Sequence, residues 1–175
     1  MQPAAHLAIG YLVWSAYARS RLHRPPTDRG AWIALFGALF PDLVDKPLAW
    51  SLHVLPAGRS LAHSLLTASL FTAAAWWVGQ RVDEPALGLA FGLPYFSHLA
   101  ADVVRPLASG QYAYLRFLGW PLLSLPPYDT SRSLLTEFRG SVGTLSGLEL
   151  LLAAVVIAVW LLDGSPGLPI ERAAD

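Results

Sequence analysis

The chain has 175 residues, of which 54% are hydrophobic and only 14% charged, and its mean hydropathy is +0.45. Twelve basic and twelve acidic side chains cancel, so no net field points to nucleic acid; the lack of cysteine excludes disulfides, thiolate metal sites and a cysteine nucleophile. A soluble domain carries about 25% charged residues, so this chain has too little polar surface to coat a water-soluble globule, and a bilayer is its simplest solvent.

The first apolar segment runs over 3–18. No basic residue precedes it, so it reads as a retained membrane helix rather than a secretory signal. Arg19, Arg21, His23, Arg24 and Arg29 follow, and Pro25–Pro26 breaks any continuation. The second segment starts near Gly30 and reaches Pro41–Asp42; it is short for a span, and either tilts, is partly re-entrant or continues past Pro41. The third has Ser60 as its expected N-cap and LAHSLLTASLFTAAAWWVG as its helix, with Trp76–Trp77 as interfacial belt. The fourth, 86–104, has an expected kink at Pro94, and the fifth is 144–162. Between them, 105–143 is rich in proline, glycine and aromatic rings, which favour the headgroup level; SRSLLTEFRG (131–140) suits a short surface helix. The expected fold is an all-α, polytopic helical membrane protein with about four to five transmembrane helices. It forms a single domain: motif-bearing helices over 1–105, an interfacial loop over 106–143 and a C-terminal helix over 144–162.

If the segments alternate in direction, His6, Asp42, His63, His98 and Asp102 all fall at one membrane face. The Arg-rich turn 19–29 and the RVDEP turn fall at the other. His98 and Asp102 are four apart and share a helical face, so they can bind one metal or each other. Three imidazoles with two or three carboxylates and no thiolate suit Zn²⁺, Mn²⁺ or Fe²⁺. Ionisable groups near lipid are costly unless paired or coordinated. Each residue also has a plainer alternative. His6 could sit in the interface, His98 and Asp102 could pair without metal, and Asp42 could be a helix cap. Asp45–Lys46 could be a surface ion pair, and Lys46 and Arg59 headgroup anchors. Arg105 reads as a snorkelling anchor, and His23 and His53 as structural.

The order His6 … Leu39-Phe40-Pro41-Asp42 … Arg59-Ser60-Leu61-Ala62-His63-Ser64 … Ser97-His98-Leu99-Ala100-Ala101-Asp102 resembles the membrane-bound metal-dependent hydrolases, the YdjM-like proteins, over roughly residues 1–105. The wording LFPDLVDKPLAW and LPAGRSLAHSLL is similar to archaeal members. A fainter likeness is to zinc-dependent phospholipase C. The resemblance implies His6, Asp42, His63, His98 and Asp102 as metal ligands. Gly58 stands where many relatives have a histidine, and no histidine follows Asp102, which favours one or two ions over three. In the implied reaction the metal activates water against an ester or phosphodiester, with a membrane lipid or other amphiphile as substrate. Asp45 is then an orienting group or general base, Arg59 stabilises a developing oxyanion, and Ser64 is a weaker candidate as a hydrogen-bond partner.

The competing reading is non-enzymatic: a small transporter or a metal-binding scaffold. Candidates near helix ends, with no internal repeat, weigh against transport. Intramembrane protease motifs are missing. The Arg-dense turn 19–29 is expected to be cytoplasmic, which puts the site on the extracytoplasmic side of the cell membrane.

Overall fold

A computed structural model describes residues 3–128 and 146–168 of the chain. Its elements are α1 (Pro3–Arg21), α2 (Asp28–Trp50), α3 (Leu65–Arg81), α4 (Pro85–Ala108), a short 3-10 helix (Tyr112–Gly119) and α5 (Gly147–Leu162), with no strand among the described residues. The segment 131–140 lies outside them.

Local chemistry explains most boundaries. Thr27 caps α2 by accepting from Gly30 N–H, and Asp28 sits in the first turn, where it complements the helix dipole. α2 runs through Pro41 and Pro47 to Trp50, so Asp42 lies inside a helix and is not a cap. Ser64, not Ser60, caps α3, by accepting from Leu66 N–H. Residues 60–64 stay irregular because their backbone N–H groups are drawn to a buried carboxylate on α2, described below. α4 is assigned as one helix through Pro94. α5 opens on a capping box in which Ser146 and Glu149 satisfy each other's backbone N–H.

α4 packs against α1, α2 and α3 at once. Backbones meet closely where side chains vanish. A Cβ on Gly37 of α2 would run into the Phe91 carbonyl of α4, and one on Gly88 of α4 would run into the Trp76 backbone of α3. Around these contacts Phe91, Tyr95 and Leu99 pack with Ala68 and Phe40, while Trp14 packs with Ala34 and Ala90.

At one end of the bundle the Arg-rich turn meets the RVDEP turn through an Arg29–Glu84 ion pair at 2.9 Å. At the same end α5 is tied to α1. Buried Asp163 accepts from Tyr11 Oη at 2.6 Å, Ser15 Oγ at 2.7 Å and Arg19 Nε at 2.7 Å. α5 buries none of its residues, and most of its leucines, with Val155 and Ile157, are exposed. By length and hydropathy one described helix, α4, is able to cross a membrane on its own. α5 is apolar but shorter, and α2 carries Asp42, Asp45 and Lys46 in its C-terminal half. The expected four to five spans are thus a single qualifying helix by this measure.

Candidate metal centre

Counting along the helices puts the candidate ligands at one level. At about 1.5 Å per residue, His6, Asp42, His98 and Asp102 each lie about 20–25 Å from the end of their helix that joins the Arg29–Glu84 turns. His63 joins them from the irregular segment between α2 and α3. The structure therefore brings together all five residues singled out as ligands: His6 from α1, Asp42 from α2, His63 from the loop, and His98 and Asp102 from α4. Two overlapping groups could hold a metal ion, His6–His98–Asp102 and Asp42–His63–His98, with His98 in both.

Asp45 organises the loop. Its side chain is fully buried and accepts the backbone N–H groups of Ser60 (2.8 Å), Ala62 (2.8 Å) and His63 (3.2 Å). It also accepts His63 Nδ1–H at 2.8 Å. Tyr95 Oη donates to the Ala62 carbonyl from the other side. The turn is thus pinned by long-range contacts to α2 and α4, and His63 turns its Nε2 inward. His98 is fixed in the same way, since its Nδ1 lies 2.6 Å from the Ala38 carbonyl, which can only accept. The Nε2 atoms of His63 and His98 then face each other at 3.3 Å. With both Nδ1 atoms donating, neutral rings would point two lone pairs at one another. The pair therefore requires a cation between them, either a proton or a metal ion.

Burial disfavours the charged form of His63, but the neighbouring carboxylates, Asp42, Asp45 and Asp102, outweigh it and raise the pKa above the usual histidine value. A proton held there would take the place of a metal, and metal binding would release it. Carboxylates complete the donor set. Asp42 Oδ1 lies 3.6 Å from His63 Nε2 and 3.9 Å from His98 Nε2. Asp102 Oδ2 lies 3.5 and 3.7 Å from the same two atoms. Donors about 2.0–2.1 Å from a tetrahedral zinc sit about 3.3 Å apart, so a small contraction would meet that geometry. The His6 ring stacks on His98 at 3.7 Å, with Nε2 3.5 Å from Asp102 Oδ1, and its buried Nδ1 has no hydrogen-bond partner among the described residues.

Each carboxylate also reaches outward to a cation. Lys46 Nζ is 2.9 Å from Asp42 Oδ2, so the lysine pairs with Asp42 rather than with its neighbour Asp45. Arg59 forks onto Asp102, with Nη2 to Oδ1 and Nε to Oδ2 both at 2.8 Å. The imidazoles and Asp45 and Asp102 are at most 1% exposed, whereas Asp42 is 11%, Lys46 13% and Arg59 35% exposed. The cluster therefore opens to its surroundings past Asp42 and the two cations. Phe117 of the 3-10 helix covers His63 edge-on. Ser64 lies beside the cluster but turns its hydroxyl to the Trp120 carbonyl and the α3 cap, away from the donor set.

A family model described as YdjM inner membrane protein matches residues 1–164. The chain belongs to the YdjM inner membrane protein family. The YdjM match spans every residue of the cluster and makes this a membrane protein, in keeping with its exposed apolar surface. No curated protein and no solved structure matches this YdjM chain.

Sequence reasoning overlooked the Asp42–Lys46 link, although the i, i+4 spacing carries it. It also passed over Tyr95, three residues before His98 and so on nearly the same face of α4. The Ala38 carbonyl left no signal, because its contact with His98 is distant in the chain.

Proposed function

We propose that this protein is a membrane-bound, metal-dependent hydrolase of esters or phosphodiesters, with His6, Asp42, His63, His98 and Asp102 as the metal-holding set. The observation that carries this reading is the facing pair of Nε2 atoms, each oriented by a donated Nδ1–H and flanked by two carboxylates. Zinc suits this nitrogen and oxygen set best, with manganese or iron next. When bound, such an ion lowers the pKa of a water and polarises the group to be cleaved.

The side chains supply the rest. Asp45 spends its lone pairs on three backbone N–H groups and His63, so we assign it as a positioning residue and not a base. Arg59 holds Asp102 and keeps part of its guanidinium exposed, where it can meet a developing oxyanion. Phe117 and the buried helix faces exclude water. The likeness of the motif order to zinc-dependent phospholipase C supports a lipid or other amphiphilic substrate.

A non-catalytic metal-binding scaffold is the second reading, favoured by the near-complete burial of the imidazoles. Elemental analysis of detergent-purified wild type beside His63→Ala and Asp102→Ala tests the metal. Stoichiometric metal lost in both variants supports the site, and its absence from folded, metal-reloaded wild type rejects it. A screen of the loaded protein against lipid esters and phosphodiesters then separates hydrolase from scaffold.

A further inference from the structure

We infer that the cavity between the Arg-rich turn and the RVDEP turn binds a zwitterion carrying a phosphate and an ammonium group, the headgroup chemistry of phosphatidylethanolamine. The site is separate from the metal centre, which lies about 20–25 Å further along the helices.

The cavity has a volume of about 300 Å³, at the small end of the range for ligand sites, so it suits a headgroup rather than acyl chains. Leu22 and Leu87 are among its apolar walls, and its charged residues are Arg24, Arg29, Asp83 and Glu84. Arg29 and Glu84 neutralise each other in their ion pair at 2.9 Å. Arg24 and Asp83 have no ion pair, with each other or with a third group, among the described residues. The cavity therefore offers one cation and one anion. A simple anion would meet Asp83 and a simple cation would meet Arg24, whereas a ligand with both charges matches both. In a membrane protein the ends of the helices lie at headgroup level, where such a zwitterion is at hand.

Trp14 is the independent observation. It lines the cavity and is 2% exposed, and its buried Nε1–H has no acceptor among the described residues. Nε1 and Thr27 Oγ1 each lie 3.1 Å from the point where a Gly30 Cβ would stand, so glycine keeps the gap between them clear. Thr27 Oγ1 already accepts from Gly30 N–H, which leaves its own O–H to donate. Two donors thus border one gap at the N-terminus of α2, whose dipole favours a negative ligand. A buried N–H without an acceptor is costly, and a phosphate oxygen seated beside Thr27 supplies one.

The test is native mass spectrometry of the full chain in neutral detergent, titrated in turn with short-chain phosphatidylethanolamine, phosphatidylglycerol and phosphatidylcholine. Wild type should bind one phosphatidylethanolamine at least about tenfold more tightly than the other two, because phosphatidylglycerol leaves Asp83 unmatched and the quaternary ammonium of phosphatidylcholine has no N–H to donate. Asp83 has φ +57°, which asparagine tolerates. Asp83→Asn should therefore keep its fold and lose the preference over phosphatidylglycerol, while Arg24→Gln should weaken both lipids about tenfold. Melting temperature and metal content, measured on the same samples, should stay at wild-type values. Soluble phosphoethanolamine as competitor separates the sources: displacement of the lipid at equal concentration assigns a free zwitterion, and retention of the lipid assigns the bilayer headgroup. Wild type that shows no preference for the ethanolamine lipid, or variants that bind all three lipids as wild type does, would overturn the inference.

Discussion

Replacing Asp45 by Asn changes one atom of a fully buried side chain and tests how the centre is built. Oδ2 accepts from Ser60 N–H, His63 N–H and His63 Nδ1, and Oδ1 from Ala62 N–H. The asparagine keeps most bonds by placing its oxygen at the Oδ2 position. Its NH₂ then opposes the Ala62 N–H, leaving a buried donor unpaired at about 1–3 kcal/mol. The three remaining bonds lose their charge assistance, which roughly halves them. The total is about 3–5 kcal/mol, or a melting temperature lower by about 6–20 °C for a chain of this size. His63 also loses the carboxylate that holds its proton on Nδ1, so metal affinity should fall about 10–100-fold. Thermal unfolding in detergent, with and without added zinc, reads both effects. An Asn variant that melts with wild type and retains its metal would refute the view that Asp45 holds the loop and orients His63.

Excess chelator should lower the melting temperature of wild type but not of His63→Ala; metal held at 100 times its Kd contributes about 2.7 kcal/mol, and an unchanged wild-type curve would count against a bound ion. Asp163→Ala should destabilise by about 2–4 kcal/mol as Tyr11 and Ser15 lose their acceptor, seen as faster proteolysis before α5, with metal content unchanged because the clamp lies at the other end of the bundle. Gly37→Ala should force α2 from the Phe91 carbonyl at a cost of about 1–3 kcal/mol, and, unlike Asp163→Ala, should reduce metal content, since Asp42 and His98 ride on the two helices that part.

Helical class and approximate segment positions were legible, because apolar runs and their polar punctuation mark helices without tertiary information. The pairing of His98 with Asp102 was legible for the same reason, as helical period alone puts them on one face. Two things were not. Ser60 and Ser64 are equally good caps locally, and only the pull of Asp45 on the Ser60, Ala62 and His63 backbone delays the helix to Leu65. Likewise Pro41 suggests a helix end, yet α2 continues through it and carries Asp45 into the interior of the cluster and Lys46 to its outer side. Neighbour identity also misled, because Lys46 lies next to Asp45 in sequence but one helical turn from Asp42 in space.

The sharing of His98 has a consequence for occupancy. Its Nδ1 is engaged by the Ala38 carbonyl, which leaves Nε2 as the nitrogen facing both His6–Asp102 and Asp42–His63. A neutral imidazole nitrogen offers one in-plane lone pair and so serves one ion at a time. On the metal reading proposed above, the two ligand groups therefore compete for the one His98 nitrogen. A metal titration should saturate at one equivalent per chain, with Asp42→Ala and His6→Ala shifting the ion between seats rather than each removing half of the bound metal.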